Sequence, residues 1–382
     1  MTEAPEAPED YEETPQEKAK KAAKIEKAKD KLRGGPLMYD VSPDTINAMT
    51  RPELKRLAPR EEQMEMRSLV RGGYKLQHIR VTAGNRIVAA IKSCMGVQPG
   101  VTENHDEMSK EDKTLLEKAL KSHERMTDGL VYFPTADRFQ GDEIISKYAT
   151  LVLVEQYKKL LEQEKVNESL ILKLLPLYPL WGAFLKGTLG CGTLLSGFII
   201  SEVDIRKAMY VSSLWKFCGI DVPEDGRGRS KRSEHQITVE YVDKDGNIKE
   251  KNSLTHKPAT KSKIVETLMC SFMRQARVWS PEQLDIIAGM SDEEFAVWRK
   301  DKVNNKAKGP WKSPYAQIYD DYKHRIRSRA GEPVKPMHLE RMAKRYAAKM
   351  FLKDLYNAWR PLEGLTVHDP YAEAKLGIKH SG

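Results

Sequence analysis

Apolar residues recur every three or four positions along most of the chain, which is the spacing that gives an α-helix one hydrophobic face. Residues 60–91 show this spacing, with arginines and lysines between the apolar positions. We therefore expect a helix within residues 50–95, in which Gly72-Gly73 marks a kink or a break. Residues 109–126, which open on the capping candidate Ser109, and residues 142–165 carry the same pattern and predict two further helices.

One segment alternates polar and apolar residues instead, as a strand does when one of its faces is buried. It covers residues 236–242 and is followed by Asp245-Gly246-Asn247 and by a second arm at residues 248–254. An Asp-Gly pair favours a tight turn, so these residues predict a β-hairpin. Helical spacing returns over residues 263–278, 280–298, 313–329 and 336–359. The predicted fold class is mainly α, with one small β-hairpin.

Changes in composition divide the chain into five regions. Residues 1–35 form a charged tail, in which the first sixteen residues are acidic and are expected to be disordered. Residues 18–33 are rich in Lys and Ala and predict a solvated helix that stops at Gly34; its lysines either contact phosphates or only aid solubility. The other regions are a helical domain (36–175), a helix-hairpin-helix (176–225), a basic loop with the β-hairpin (226–262) and a C-terminal helical region (263–382).

The charge balance favours a polyanionic partner. The 382 residues include 64 Lys and Arg against 55 Asp and Glu, a formal net charge of +9. The four cysteines form no Cys-x-x-Cys pair, which argues against a zinc ribbon and a disulfide framework. The first residues lack the apolar core of a signal peptide, and the most apolar stretch is broken by Lys, Pro and Gly. We expect a cytoplasmic protein with no membrane partner.

The strongest local signal is the sequence Gly190-Cys191-Gly192-Thr193, which lies between two apolar segments. Two glycines one residue apart allow a sharp turn, and Thr193 can cap the helix that follows. Amides at the start of a helix attract phosphate, and such a contact positions a protein on nucleic acid without reading bases. The pattern predicts a helix-hairpin-helix that grips the phosphate backbone; a plain packing turn is the alternative.

Two further basic segments extend the prediction. The polar loop after the helix-hairpin-helix carries Arg227, Arg229, Lys231 and Arg232, and we expect it to be flexible and to contact phosphates. The last helix places cations at intervals of four on one face, with apolar residues on the other. These cations extend the phosphate track or form an ordinary solvated face. They are Arg341, Arg345, Lys349 and Lys353. Tyr315, Tyr319 and Tyr322 share one helix face, where core packing is expected rather than base stacking.

These motifs occur in an order that resembles the C-terminal domain of the RNA-guided insertion-sequence transposases with DEDD chemistry. That domain passes from a Gly-x-Gly helix-hairpin-helix to a Gly-Leu-x-Pro turn, a basic Ser/Gly loop, a Leu/Arg-rich helix and a Tyr-x-x-x-Tyr helix. The resemblance covers about the last half of the chain, and it is closer to stand-alone phage and bacterial proteins that keep this half behind a different helical N-terminus. The matching segments are residues 189–192, 214–223, 226–233, 261–274, 315–319 and 338–359.

The resemblance implies a role in DNA transposition, but part of the family pattern is absent from the sequence. The transposases carry metal-binding carboxylates on strands of a ribonuclease-H-like domain, whereas residues 36–175 show helical spacing and no apolar strand that ends in Asp. Asp40, Asp44, Asp106, Asp137 and Asp142 all lie outside such a context. The family also has a catalytic serine after the Gly-Leu-x-Pro turn. Ser230 and Ser233 are the candidates here, although the surrounding residues differ and a plain loop serine is the alternative.

Three hypotheses remain open. The first is a DNA-binding protein of a phage or mobile element that contacts the backbone through the helix-hairpin-helix, as a binding or recombination-accessory module. The second is an active transposase or recombinase whose nuclease half is degenerate or supplied in trans. The third is a helical scaffold protein whose turn does not bind. We expect DNA or RNA as the partner, name no cofactor and no metal ligand, leave homo-oligomerisation open, and regard a small-molecule enzyme as disfavoured.

Overall fold

The computed structural model describes residues 14–97, 108–223, 225–274, 281–301, 313–329 and 334–369. The acidic segment at residues 1–13 and most of the predicted linker at residues 300–312 lie outside this described part. The α-helices are α1 (Pro15–Arg33), α2 (Pro43–Ala48), α3 (Arg51–Leu54), α4 (Glu61–Cys94), α5 (Lys110–Thr127), α6 (Tyr148–Leu174), α7 (Thr193–Glu202), α8 (Val211–Phe217), α9 (Pro258–Lys261), α10 (Met269–Arg274), α11 (Pro281–Ala288), α12 (Asp292–Lys300), α13 (Pro314–Arg327) and α14 (Pro336–Leu362).

The predicted fold class is confirmed, because the described residues are mainly helical and form one small antiparallel sheet. Strands β1 (Gln236–Val242) and β2 (Ile248–Leu254) pair in antiparallel register, with Val242 opposite Ile248 next to the turn. Asp243 closes that turn, since its Oδ1 accepts hydrogen bonds from the amides of Asp245 and Asn247, each at 2.9 Å. Gly246 takes a φ of 80°, which explains why glycine stands there.

Contacts along the chain define two compact units. Unit 1 comprises Met1–Arg60, Pro179–Gly192 and Glu202–Gly382, and unit 2 comprises Glu61–Tyr178 and Thr193–Ser201. The units therefore combine segments that are distant in sequence, and the predicted helix-hairpin-helix contributes residues to both. In the described residues no helix is both long enough and apolar enough to cross a membrane.

Unit 2 is built around the long helices α4 and α6, with α5 completing its core. Helix α4 runs without interruption through Gly72 and Gly73, so of the predicted kink or break the break is wrong and the kink stays a prediction. The physical reason is tertiary packing: the Asn167 side chain of α6 occupies the space where a Cβ on Gly73 would lie, and its Nδ2 donates to the Leu69 carbonyl at 3.1 Å. Gly73 thus allows a close approach of two helices, whereas nothing in the structure explains Gly72, where a Cβ would meet open space. Ser109 caps α5 as predicted, accepting from the Asp112 amide at 3.1 Å.

Unit 1 has an aromatic core centred on α14. The rings of Phe272, Tyr315 and Phe351 pack with centroid distances of 4.8 to 5.4 Å. Tyr315 and Tyr319 are buried, which confirms core packing for these two residues, and the half-buried Tyr322 stacks on Tyr346 at 4.5 Å. The single helix expected over residues 280–298 is wrong, because Ser291 and Glu294 form a capping box that starts α12 separately from α11.

The N-terminal part of unit 1 is joined to residues near the end of α14. Asn47 donates from Nδ2 to the Gly364 carbonyl at 3.2 Å and accepts from the Thr366 amide at 2.9 Å. Arg60 adds an ion pair with Glu363 at 2.6 Å. Helix α1 has no buried residue, as expected of a solvated helix, and ends at Gly34 with a φ of 78°.

Candidate nucleic-acid interface

The turn at residues 190–192 follows a π-helical segment, Trp181–Leu185, and its conformation is fixed by packing within unit 1. Gly190 takes a φ of 105°, and a Cβ there would lie 2.7 Å from the ring of the buried Phe272. The Gly190 carbonyl accepts a hydrogen bond from Ser271 Oγ at 2.8 Å. Gly190 therefore serves a close contact between this turn and α10.

The amides of this turn are used internally. Cys191 N–H donates to the Thr188 carbonyl at 3.0 Å, and Gly192 N–H donates to the Gly190 carbonyl at 3.2 Å. Cys191 and Thr193 are both buried. The amides of Cys191 and Gly192 are therefore already satisfied within the turn, and only the amides at the start of the following helix are left for the predicted phosphate contact. A Cβ on Gly192 would meet only open space, and Gly192 has no positive φ. Phosphate binding at this turn stays a prediction.

The basic loop at residues 225–232 is held by specific contacts, and its flexibility stays a prediction. Arg229 forms an ion pair with Asp221 through two nitrogens, with Nε–Oδ2 and Nη2–Oδ2 distances of 3.0 and 2.9 Å. Lys261 Nζ donates to the Arg229 carbonyl, and Gln236 Nε2 donates to the Lys231 carbonyl at 2.9 Å. Arg229 is thus largely neutralised, whereas the Arg227, Lys231 and Arg232 side chains are exposed.

The four cations expected on the last helix all lie on α14, but in different environments. Arg341 and Lys353 are exposed, whereas Arg345 and Lys349 are half-buried. The Arg345 guanidinium lies against Gly228 of the basic loop, so closely that a Cβ at Gly228 would overlap it. Lys349 Nζ lies 5.3 Å from the centroid of the Trp215 ring, and Trp215 Nε1 donates to the Lys349 carbonyl at 3.1 Å.

Arg345 and Lys349 join Lys261 of α9 in a group that we call the cationic cluster. Burial is the largest effect on each member and lowers the pKa of all three side chains. Arg345 lowers the pKa of Lys261 and Lys349 further, while Asp221 acts in the opposite direction on both lysines. Within the described residues none of the three forms an ion pair with a carboxylate. Asp221 is already paired with Arg229, and burial of cations with no carboxylate at ion-pair distance is unfavourable, so the cluster favours a bound anion.

The loop also holds a hydrogen-bonded chain of three side chains. Ser230 Oγ lies 3.1 Å from His235 Nδ1, and His235 Nε2 lies 3.0 Å from Asp225 Oδ2. His235 is buried, with 2% of its surface exposed. Ser233, the other serine candidate, is exposed and begins the 3-10 turn Ser233–His235.

Sequence reasoning missed Lys261, His235 and Asp225 as site residues. Asp225, Ser230 and His235 are spaced five residues apart in the sequence. This spacing could not have identified them, because a loop has no fixed period from which to predict which side chains meet. Lys261 gave no signal of its own, because its role depends on partners that are distant in sequence.

A nuclease half would require a sheet with clustered carboxylates, and the described residues of unit 2 do not contain one. The described part of unit 2 contains helices and loops but no strand, and no group of three or more His, Cys, Asp or Glu in the described residues could hold a metal ion. Asp142 has a structural role there: its Oδ1 accepts from the amides of Ile144 and Ile145 at 2.8 and 2.7 Å. Asp106 lies outside the described residues.

Comparisons of the chain with protein-family models, with curated proteins and with solved structures found no match. The functional interpretation therefore depends on the sequence and on the geometry of the described residues.

Proposed function

We propose that this chain binds the phosphate backbone of DNA or RNA through the basic surface that the loop at residues 225–232 and α14 form in unit 1. The observation that carries the proposal is the cationic cluster, in which Lys261, Arg345 and Lys349 are partly buried with no carboxylate partner in the described residues. Phosphate would supply the missing negative charge, and an interface built in this way needs no contact with base edges.

The exposed cations of the loop support the same surface. Arg227 and Lys231 lie on the loop that Arg345 contacts at Gly228, so they can reach phosphates next to the one held by the cluster. Phosphate contacts position a protein on nucleic acid, and the sequence-specific part of an interaction comes from bases or from shape. We therefore expect similar affinities for duplexes of unrelated sequence.

The double variant Arg345→Met and Lys349→Met tests the proposal. Binding of a fluorescent DNA duplex should weaken at least about thirtyfold, which corresponds to about 2 kcal/mol. The slope of log K against log salt should also become less negative by about 1.8, because two phosphate contacts are lost at about 0.9 each.

A matched control is the double variant Lys18→Met and Lys20→Met, which removes the same charge from exposed positions of α1. It should change affinity less than about threefold. Equal losses in the two double variants would mean that net charge alone drives binding, and a salt-independent affinity in the unaltered protein would contradict nucleic-acid binding altogether.

A second candidate function, strand cleavage and joining in recombination, is favoured by Ser230. Its hydroxyl faces an imidazole nitrogen, and the neighbouring residues Gly228 and Arg229 contact Arg345 and Lys261 of the cationic cluster. A phosphate held by the cluster would therefore lie near a serine hydroxyl. Formation of a covalent protein–DNA adduct that Ser230→Ala abolishes would support this function, and binding without any adduct would leave only the first.

A further inference from the structure

The hydrogen bonds around His235 determine its tautomer. The Ser230 amide can only donate, and it lies 2.9 Å from His235 Nδ1, so this nitrogen must be an acceptor. The proton of the neutral ring is therefore on Nε2, where it is donated to Asp225 Oδ2 at 3.0 Å. The lone pair of Nδ1 faces the serine, and Ser230 Oγ also lies within hydrogen-bonding distance of it, at 3.1 Å.

We propose that His235 is the general base that removes the proton from Ser230, that Asp225 holds the imidazole in the required tautomer, and that Arg232 stabilises the negative charge that develops on the serine oxygen. The inference rests on the second candidate function, since it names the groups that would make Ser230 a nucleophile. The arrangement has the features of an activated serine: a nucleophile within reach of a base, and a third group that orients the base.

Arg232 completes the surroundings of the hydroxyl. Its Nε donates to Ser230 Oγ at 2.9 Å, and its backbone amide lies 3.3 Å from the same oxygen. The Ser230 hydroxyl can therefore donate its proton to His235 and accept two hydrogen bonds from Arg232. These three bonds use the one donor and both lone pairs of the hydroxyl. A cation at this position favours the oxyanion over the neutral hydroxyl.

Asp225 is suited to hold a charged imidazolium. Its Oδ1 accepts from the Arg227 amide at 2.9 Å, and this bond together with the one from His235 lowers the pKa of the carboxyl group. Asp225 is therefore ionised at neutral pH and stabilises the positive charge that His235 gains when it accepts the serine proton.

The reaction balances without any further reactant. Ser230 Oγ attacks the phosphorus of a phosphodiester, and the bond from phosphorus to one sugar oxygen breaks. The serine proton moves to His235 Nδ1, which gives up the hydrogen bond from the Ser230 amide and later returns the proton to solvent. The departing sugar oxygen leaves in line, on the side of the phosphorus away from Ser230, and takes a proton from solvent to become a hydroxyl group. The hydroxyl of a second strand end can reverse these steps, so the energy of the original phosphodiester is kept in the phosphoserine linkage.

A fluorophosphonate probe tests the base directly, because it phosphonylates activated serines and requires no nucleic acid. Full-length protein is treated with the probe, and labelled peptides are quantified by mass spectrometry. We expect Ser230 to be labelled at least about a hundredfold faster than the exposed Ser233, which begins the 3-10 turn directly after the loop. His235→Gln should slow labelling at least about a hundredfold, and Asp225→Asn at least about tenfold.

A second measurement, the pKa of a thiol placed at position 230, distinguishes loss of the base from loss of loop structure in the His235 variant. In Ser230→Cys the thiol faces His235 and Arg232, with Lys261 and His256 near the same loop. Its thiolate absorbance should appear well below the ordinary thiol pKa of about 8.5. Addition of His235→Gln should raise the thiol pKa back toward that value. Thermal unfolding of both variants is measured at the same time, to show that the loop substitution leaves the protein folded.

The proposal fails if Ser230 is labelled no faster than Ser233, or if His235→Gln is labelled as fast as the unaltered protein. Nucleic-acid binding is measured separately, on the unaltered protein and on the double variant Arg345→Met and Lys349→Met, in an assay that does not depend on labelling. Failure of the unaltered protein to bind would count against the proposed function, whereas failure of Ser230 labelling would count against the base assignment.

Discussion

The turn at residues 190–192 and the loop at residues 225–232 both have the composition of a phosphate-binding segment, yet they use their polar groups in opposite ways. In the turn, the amides of Cys191 and Gly192 donate to carbonyls of the same turn, and Gly190 lies against Phe272. In the loop, the backbone is held by neighbours while Arg227 and Lys231 remain exposed beside the cationic cluster. Glycines at a turn thus indicate close packing as readily as they indicate a ligand, and the partners of the amides decide between the two.

The largest effect is expected from Gly190→Ala. A Cβ at φ 105° costs about 1–2 kcal/mol of backbone strain, and its 2.7 Å approach to Phe272 adds about 1–3 kcal/mol of overpacking. The free energy of unfolding should fall by roughly 3 kcal/mol, as measured by urea denaturation. Gly192→Ala is the control and should melt like the unaltered protein. Equal stabilities of the two variants would contradict a packing role for Gly190.

Lys349→Met should weaken nucleic-acid binding about tenfold, or about 1.4 kcal/mol, while it raises the melting temperature by a few degrees. The physical reason is that burial lowers the pKa of Lys349, so its charge is unfavourable in the free fold and useful only when an anion is bound. Lys353→Met, one turn further along α14 at an exposed position, is the matched control.

The control should lose less than about threefold in affinity and leave the melting temperature unchanged. If Lys353→Met matched Lys349→Met in both measurements, the whole basic stripe would act as one solvated face, and partial burial would have no special role.

Alkaline pH should separate binding from stability. The pKa values of Lys261 and Lys349 lie below the ordinary value in the folded protein, so between the folded and unfolded pKa the unfolded chain binds more protons. The free energy of unfolding should therefore rise as pH increases through this window toward about 10.5, since an unfavourable charge is lost. Affinity should fall over the same window, because the deprotonated amines no longer attract phosphate. In the double variant Lys261→Met and Lys349→Met, neither the rise in the free energy of unfolding nor the fall in affinity should occur over this pH window. If affinity and stability changed in the same direction in the unaltered protein, this explanation would be wrong.

The smallest effect is expected from Gly192→Ala on binding, with a change of less than about twofold. Its Cβ has open space, and the Gly192 amide is already bonded within the turn. The same variant also tests the difference between the turn and the loop most directly. A tenfold loss of affinity with normal stability would show that the turn does hold a phosphate, as its sequence suggests.

The parts of the fold that depend on neighbouring residues could be predicted from the sequence. The hairpin follows from the Asp-Gly turn and alternation, and α5 begins where Ser109 can cap it, because both signals act within a few residues. The continuity of α4 could not be predicted, since Gly72 and Gly73 indicate a kink or a break locally. The reason for a glycine at position 73 is the packing of Asn167, which lies 94 positions further along the chain.

In the candidate site, too, features set by neighbouring residues could be predicted and features set by distant residues could not. The cations of α14 follow from helical spacing, but the spacing cannot separate the half-buried Lys349 from the exposed Lys353. That difference comes from the contact of Lys349 with Trp215, which lies far away in sequence. The contact between Ser230 and His235 is local, yet it depends on loop dihedral angles for which residue types give no rule.

The hydrogen bonds that join Asn47 with Gly364 and Thr366 have a consequence for how the chain folds. Asn47 and Gly364 are 317 positions apart, so this closure requires almost the whole chain to have been synthesised. Helices α4, α5 and α6 of unit 2, in contrast, pack against segments close to them in sequence and can form their shared core much earlier. Contacts of long sequence separation slow folding, because the entropy of closing the loop is lost before the contact is gained. During translation, the Asn47 side chain therefore lacks these two partners until residues 364–366 have been synthesised, and a chaperone would have the longest access to this position.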